Sequence, residues 1–232
     1  MIGVIGGMGP LATADFMQKV IAATPAEHDE QHVPLIISSD PRIPARPAAI
    51  LHGDQSPLPR LMDIRDRLIA FGATALVMPC NTAHYWHGQL AEGCALPFPS
   101  IIEATCDVVM EKTSAHDRVG LVATKATLAT ELFQAELQRR QRQTVLPSDE
   151  ITENFMLPAI AKVKAGDIVG ASEPMKTAVE HLLQVGAKTV ILACTEAPIA
   201  MSRFRDIANE HCVDSTQALA VVTINLWNRL KG

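Results

Sequence analysis

The stretch FGATALVMPCNTA, residues 71–83, has a second copy in VGAKTVILACTEA, residues 185–197. Each copy has a glycine-alanine pair directly after its first residue, continues as an apolar run, and ends three residues beyond a cysteine, Cys80 in the first and Cys194 in the second. A short run of apolar and β-branched residues is typical of a buried strand. The repeat therefore predicts that the same strand, followed by the same cysteine, occurs twice in one chain.

A second pair of matching stretches supports two related halves. GVIGGMGPLATADF from Gly3 matches GLVATKATLATELF from Gly120, in the same order and at nearly the same offset. Chance similarity is the alternative explanation. The predicted halves are residues 1–98 together with about 208–232, and residues 99–207. The C-terminal piece is expected to form a strand and then a helix, which would fit either half.

The alternation of segments along the chain predicts the fold class. Short aliphatic runs alternate with segments whose apolar residues have helical spacing, which is typical of βαβ units with a parallel sheet. We therefore expect an α/β fold. The expected strands cover 2–5, 33–39, 75–79, 119–123, 144–147 and 189–193, and the expected helices cover 13–20, 61–69, 128–137, 175–183 and 218–230.

Composition excludes several classes of protein. The chain has 232 residues, 48% hydrophobic and 19% charged, which is typical of a soluble α/β protein. Its net charge is -5 and no basic stripe is present, so nucleic acid is not an expected partner. The first residues lack a basic segment, and Pro10 and Asp15 interrupt them, so we expect neither a signal peptide nor a membrane helix. The predicted location is cytoplasmic.

The five cysteines divide into two groups. None has CxxC or zinc-ligand spacing, so reduced thiols and no metal site are expected. Cys94, Cys106 and Cys212 lie beside apolar residues and are predicted to be core residues. Cys80 and Cys194 follow strands and precede polar residues, which places them at the sheet edge where parallel sheets bind ligands. A helix N-terminus there would lower the pKa of each thiol toward values useful for a base or nucleophile.

Five motifs carry a resemblance to a known family. They are IGGMGPLAT (5–13), IPARPAAIL (43–51), MPCNTAH (78–84), VKAGD (163–167) and ACTEAP (193–198). Together they resemble the cofactor-independent aspartate/glutamate racemases, most of all the aspartate racemases. The last motif departs from a common family version, which has glycine at the position of Ala193. That change is not expected to disturb the thiol.

The resemblance implies an architecture and a mechanism. It implies two pseudo-symmetric flavodoxin-like halves with the active site in the cleft between them, a homodimer, and no pyridoxal phosphate or other cofactor. The implied reaction interconverts L- and D-aspartate, with glutamate as a second candidate substrate. Cys80 and Cys194 would be the two acid/base residues, acting on opposite faces of the α-carbon.

The same resemblance and the chemistry of a carboxylate substrate select the binding residues. Arg46, in a proline-flanked loop, and Lys164 would supply positive charge for the substrate's carboxylates. His84 and Glu196 follow the cysteines and are candidates for steering thiol protonation, although capping or surface roles are equally open. The complete set of expected substrate-binding residues is Met8, Arg46, Asn81, Thr82, Thr124, Thr127, Lys164, Thr195 and Glu196.

Three alternatives stay open at this point. The first is dinucleotide binding, because Gly7, Gly9 and Ala12 fit a relaxed G-x-G-x-x-A pattern and Asp40 ends the second strand where an acid would bind ribose. The second is a two-lobed amino-acid sensor that uses the same cleft without turnover. The third is another isomerase of the wider superfamily, such as a hydantoin racemase or a maleate isomerase.

Overall fold

A computed structural model describes residues 1–231. Their contacts form two units, residues 1–104 with the C-terminal helix from Thr216, and residues 105–215. The sequence had placed everything from about residue 208 in the first half. The segment is divided instead, because its strand, Cys212–Asp214, pairs within the second unit's sheet and only the helix after it is grouped with the first unit.

The first unit contains a three-stranded parallel sheet in the order β2-β1-β3. Its strands are β1 (Ile2–Gly6), β2 (Leu35–Ser39) and β3 (Ala75–Val77). Its helices are α1 (Pro10–Ala23), α2 (Arg46–His52), α3 (Pro57–Ala70), α4 (His87–Ala91) and α5 (Ile101–Lys112), with 3-10 turns at Asp29–Gln31 and Thr82–Trp86. Helix α5 begins in this unit and ends in the second.

The second unit contains a four-stranded parallel sheet in the order β5-β4-β6-β7. Its strands are β4 (Arg118–Val122), β5 (Gln143–Val145), β6 (Thr189–Leu192) and β7 (Cys212–Asp214). Its helices are α6 (Lys125–Ala129), α7 (Leu132–Arg139), α8 (Asp149–Ile151), α9 (Leu157–Lys164), α10 (Ile168–Gln184), α11 (Ala197–Ala200) and α12 (Arg205–His211), with a π-helical turn at Thr152–Met156 and a 3-10 turn at Met201–Arg203. Helix α13 (Ser215–Leu230) follows. The α/β fold with parallel sheets flanked by helices is confirmed.

The internal repeat extends to packing detail. A Cβ added to Gly3 in β1 or to Gly120 in β4 would lie no further than 3.3 Å from three side chains. Each side chain near Gly120 lies 114 positions further along the chain than its counterpart near Gly3: Leu68, Ala73 and Leu76 correspond to Leu182, Ala187 and Val190. Glycine thus allows the same close approach of a helix to the first strand of each sheet.

One predicted helix is wrong. Residues 128–137 were expected to form a single helix, but they form the end of α6 and most of α7, separated by Thr130 and Glu131. Glu131 has a φ of 56°, in the left-handed region, which a right-handed helix cannot contain. The apolar spacing persists across this break because Phe133 and Leu137 of α7 are still buried.

Each unit has its own hydrophobic core, and each repeated cysteine belongs to one. Cys80 packs in a cluster that includes Trp86 and Leu61, and Cys194 packs in a cluster that includes Met175 and Leu192. Within residues 1–231, no helix is both long and apolar enough to cross a bilayer.

Candidate active site

Cys80 lies just beyond the carboxyl end of β3, which ends at Val77. Its side chain is only 4% exposed, and its backbone N–H donates to the carbonyl oxygen of Met78 at 2.8 Å. The chain then turns directly into the 3-10 turn Thr82–Trp86. Strand β3 pairs with the central strand β1, so the cysteine lies at the edge where open parallel sheets bind ligands.

Polar residues surround Cys80 inside the protein. Asn81, Thr82 and His84 are all buried, between 2% and 8% exposed. The His84 ring lies 2.8 Å from the carbonyl oxygen of Cys80 through Nδ1. The ring therefore contacts the backbone of the cysteine.

Cys194 occupies the equivalent position after β6, which ends at Leu192. Its thiol donates to the Glu196 carboxylate, with Sγ 3.0 Å from Oε2, and the Thr195 hydroxyl donates to the same oxygen at 3.3 Å. Glu196 is 4% exposed, so a buried carboxylate lies directly against the thiol. This contact was not evident from sequence, although the spacing of two residues made it possible.

The pKa of Cys194 is shifted in the direction opposite to the one expected from the sequence. A helix N-terminus was expected to lower it, but burial raises the pKa well above the usual value, and the Glu196 charge raises it further. The Lys164 ammonium opposes both effects. The expectation was wrong because desolvation and a nearby carboxylate disfavour the thiolate, whereas α11 has only four residues to supply a dipole.

The first loop of each unit is held by a threonine. In the first unit the Thr13 hydroxyl accepts from the Gly7 N–H at 2.8 Å and donates to the Gly9 carbonyl at 3.0 Å, which fixes the loop around the buried Met8. In the second unit the Thr124 hydroxyl caps α6 by accepting from the Thr127 N–H at 3.1 Å. The hydroxyl oxygens of Thr124 and Thr127 lie 2.9 Å apart.

Arg46 is the first residue of α2, where the sequence predicted a loop. Pro47 permits this start, because proline fits the first helical turn, where no N–H donor is needed. The guanidinium Nη1 donates to the carbonyl oxygens of Ile43 and Pro44 at 2.9 and 3.0 Å. Among the described residues the buried Nε–H has no acceptor, so this side of the guanidinium has a hydrogen bond still to make.

Lys164 is the last residue of α9 and is exposed. It is nevertheless close enough to Cys194 for its charge to oppose the rise in that thiol's pKa. No metal-binding cluster of three or more His, Cys, Asp or Glu side chains occurs in the part of the chain that is described.

The acid required by the dinucleotide alternative is already engaged. The Asp40 carboxylate accepts from Arg42 Nε at 2.8 Å and from Arg60 Nε at 3.0 Å, and these arginines hold its pKa well below the usual range. Arg60 lies twenty positions after Asp40 in the chain. Its pairing across twenty residues has no local sequence signal. An acid bound to two arginines is poorly placed to hold a ribose hydroxyl.

Several known proteins are similar to this chain over nearly its whole length. Residues 5–223 match the family model described as Asp/Glu/Hydantoin racemase. The broad specificity amino-acid racemase RacX of Bacillus subtilis is 23% identical over 231 residues, which cover 98% of each chain. The structure of Picrophilus torridus aspartate racemase is 30% identical, with a TM-score of 0.86 over 98% of this chain and 94% of that one.

A more distant structure shares the fold. Glutamate racemase from Francisella tularensis, solved with D-glutamate, is 19% identical, with a TM-score of 0.73 over 99% of this chain and 81% of that chain. The family model spans nearly the whole chain, and the Picrophilus relative is similar over nearly its full length. This chain belongs to the Asp/Glu/Hydantoin racemase family.

Proposed function

We propose that this protein interconverts L- and D-aspartate without a cofactor, with Cys80 and Cys194 as the two acid/base residues. The observation that carries the proposal is the equivalent placement of the two cysteines. Each is buried, and each follows the strand that pairs with the first strand of its unit's sheet, β3 in one and β6 in the other. The similarity to an aspartate racemase favours aspartate, and glutamate is the second candidate substrate.

The reaction needs one base and one acid. One thiolate removes the α-proton from one face of the α-carbon, and the other thiol donates a proton to the opposite face. Removal of this weakly acidic proton requires fixed donors for the charge that develops on the α-carboxylate, in a site that excludes water. We assign that role to Asn81, Thr82 and Thr195, which are between 2% and 8% exposed.

Glu196 gives Cys194 a route for its proton. When Cys194 acts as the base, its S–H proton passes to the Glu196 carboxylate, leaving a thiolate and a carboxylic acid. When Cys194 acts as the acid, the thiol is ready, because its raised pKa keeps it protonated. We therefore assign Glu196 to proton handling, one of the roles that the sequence left open, rather than to the set of substrate-binding residues in which it was also placed.

Two cationic side chains are assigned to the two carboxylates of the substrate. The free side of the Arg46 guanidinium is suited to one carboxylate, and the exposed Lys164 is suited to the other. Met8, Thr124 and Thr127 belong to the first loops of the two units and would shape the walls around the substrate. A homodimer in the cytoplasm completes the proposal.

Proton exchange tests the function directly. The protein, without added cofactor, is incubated in D2O with L- or D-aspartate, glutamate and a panel of neutral amino acids, and α-hydrogen loss is followed by NMR. We expect exchange with aspartate and formation of the other enantiomer. Exchange with neither aspartate nor glutamate would refute the proposal, and exchange across the neutral panel would indicate a broad-specificity racemase.

Cysteine variants separate a racemase from a sensor. Cys80→Ser and Cys194→Ser should each lower turnover by about 10²–10⁴-fold, the usual contribution of a positioned acid or base. Cys94→Ser is the control, because Cys94 is a half-buried cysteine that belongs to neither of the two repeated motifs. A protein that binds aspartate by calorimetry but exchanges no α-hydrogen, and whose affinity is the same in all three variants, would be a sensor.

A further inference from the structure

His84 is a buried imidazole with both ring nitrogens in hydrogen bonds. It is 3% exposed, its Nδ1 lies 2.8 Å from the Cys80 carbonyl oxygen, and its Nε2 lies 3.0 Å from the backbone nitrogen of Ile101. A carbonyl oxygen can only accept and a backbone N–H can only donate. The ring must therefore be neutral, with its proton on Nδ1.

The surroundings keep the ring neutral. Burial, together with the neighbouring His87 ring, lowers the pKa of His84 to about 3, although the Cys80 carbonyl favours the charged form. His87 stacks on His84 with centroids 5.0 Å apart and donates from Nε2 to the Phe98 carbonyl at 2.9 Å. Burial lowers the pKa of His87 as well, against the opposing effects of the Phe98 carbonyl and the Glu103 charge.

The two bonds of His84 hold the peptide group that follows the cysteine. The Cys80 N–H is bound to the Met78 carbonyl, and the Cys80 carbonyl is bound to His84. The peptide plane between Cys80 and Asn81 is thereby fixed, along with the direction of the Asn81 N–H. Through Nε2 the same ring ties this plane to the first residue of α5.

We propose that His84 is a positioning residue, which orients the Cys80 thiol and the Asn81 N–H through the Cys80 carbonyl and takes no part in proton transfer. This proposal rests on the proposed function. The sequence left open whether His84 steers thiol protonation. The geometry favours positioning, because Nδ1 is bound to the carbonyl oxygen and Nε2 has an N–H donor, so neither nitrogen is left for the sulfur.

Two amide substitutions at His84 each keep one of the ring's two hydrogen bonds and remove the other. The Asn side chain places its amide nitrogen where Nδ1 lies, so His84→Asn retains a donor for the Cys80 carbonyl and loses the acceptor for Ile101. The Gln side chain reaches the Nε2 position, so His84→Gln retains the acceptor and loses the donor. Each variant loses one buried hydrogen bond, so their stabilities should fall by similar amounts.

We expect His84→Gln to lower kcat by roughly 10- to 100-fold with little change in KM, the size of effect that a misplaced reacting group produces. His84→Asn should keep kcat within a few-fold of the unsubstituted protein, with the same pH profile. His87→Leu is the matched control, since it loses a partly buried imidazole bond to a carbonyl in the same stack and does not change the bond between His84 and Cys80. It should lower the melting temperature and leave kcat unchanged.

Three results would overturn the positioning role. These are equal losses of kcat in the Asn and Gln variants, a loss in His87→Leu as large as in His84→Gln, or an inflection in the pH profile that disappears in His84→Asn. Iodoacetamide alkylation of Cys80, followed by peptide mass spectrometry, gives a second readout that does not require turnover. If the unsubstituted protein racemises nothing, the proposed function has failed, and an alkylation rate altered only in His84→Gln would still support the positioning role.

Discussion

Raising the pH should destabilise the fold through two cysteines that lie outside the proposed site. Cys106 on α5 and Cys212 on β7 are 0% and 5% exposed, and burial raises the pKa of each to about 12 from an ordinary 9.0. Both were predicted from sequence to be core residues, and their burial confirms it. Each thiol therefore stays protonated in the folded protein at a pH where it ionises in the unfolded chain.

The sign and the size of the pH effect on stability follow from the difference in thiol pKa between the folded and the unfolded chain. The unfolded chain loses its thiol protons first as the pH rises, which stabilises the unfolded state. The stability due to each buried thiol is thus complete below about pH 9 and is lost progressively as the pH approaches 12. At pH 11 the loss is roughly 3 kcal/mol for each thiol, since one pKa unit corresponds to about 1.4 kcal/mol. Domains are stabilised by only about 5–15 kcal/mol in total.

Urea unfolding at several pH values from neutral to pH 11 measures this effect. Cys106→Ala and Cys212→Ala should be less stable than the unsubstituted protein near neutral pH, because each loses packed atoms. At pH 11 the free energy of unfolding of each variant, relative to that of the unsubstituted protein, should be about 2–3 kcal/mol higher than at neutral pH, because the alanine variants have no thiol to keep protonated. Comparing each variant with the unsubstituted protein removes the titration of all other groups.

Val109→Ala is the control, since Val109 is a fully buried, non-titrating residue of the same helix as Cys106. Its deficit should be the same at every pH. A cysteine deficit that is equally independent of pH would refute the reasoning, because it would mean that the two thiols ionise as readily in the folded protein as in the unfolded chain.

Three further substitutions test other parts of the structure. Glu196→Gln removes the carboxylate that raises the pKa of Cys194, so half-maximal alkylation of that thiol should move to lower pH; an unchanged midpoint would contradict the contact. Thr13→Val leaves the buried Gly7 N–H without its acceptor and should cost about 1–3 kcal/mol by urea unfolding, whereas Thr13→Ser should cost much less. Gly120→Ala forces a methyl group against α10 and should destabilise by about 1–3 kcal/mol; a more stable variant would show that the helix can move away.

The sequence predicted the sheet well because its signals are local and repeated. The apolar runs placed six strands within about two residues of their ends, and the repeat placed both cysteines after equivalent strands. Helix α2 was missed because the two prolines near its start, Pro44 and Pro47, were interpreted as loop residues. The break at Glu131 was missed because apolar spacing continues across it, and only the backbone conformation separates the two helices.

The candidate site was predicted by residue identity but not by contact. Residue types and motifs selected Cys80, Cys194 and Arg46. The Cys194–Glu196 bond depends on which way two adjacent side chains turn, and the Cys80–His84 bond depends on the 3-10 turn that brings the ring back over the strand end. Neither orientation has a sequence pattern. The predicted direction of the Cys194 pKa shift was wrong for the same reason, because burial and contact with the neighbouring carboxylate are properties of the fold.

Different side chains contact the two cysteines, and this difference has a definite consequence for a racemase. Cys194 lies against a carboxylate, whereas a neutral imidazole holds the backbone of Cys80. Yet L- and D-aspartate have equal free energies in water, so kcat/KM must be the same in both directions whatever surrounds each thiol. The asymmetry can therefore appear only in kcat and KM separately. Any substitution, at Glu196 or at His84, must change kcat/KM for both enantiomers by the same factor, and initial rates of change in circular dichroism in ordinary water, starting from each enantiomer well below its KM, measure it. Unequal factors would mean that the reaction measured is not a simple interconversion of the two enantiomers.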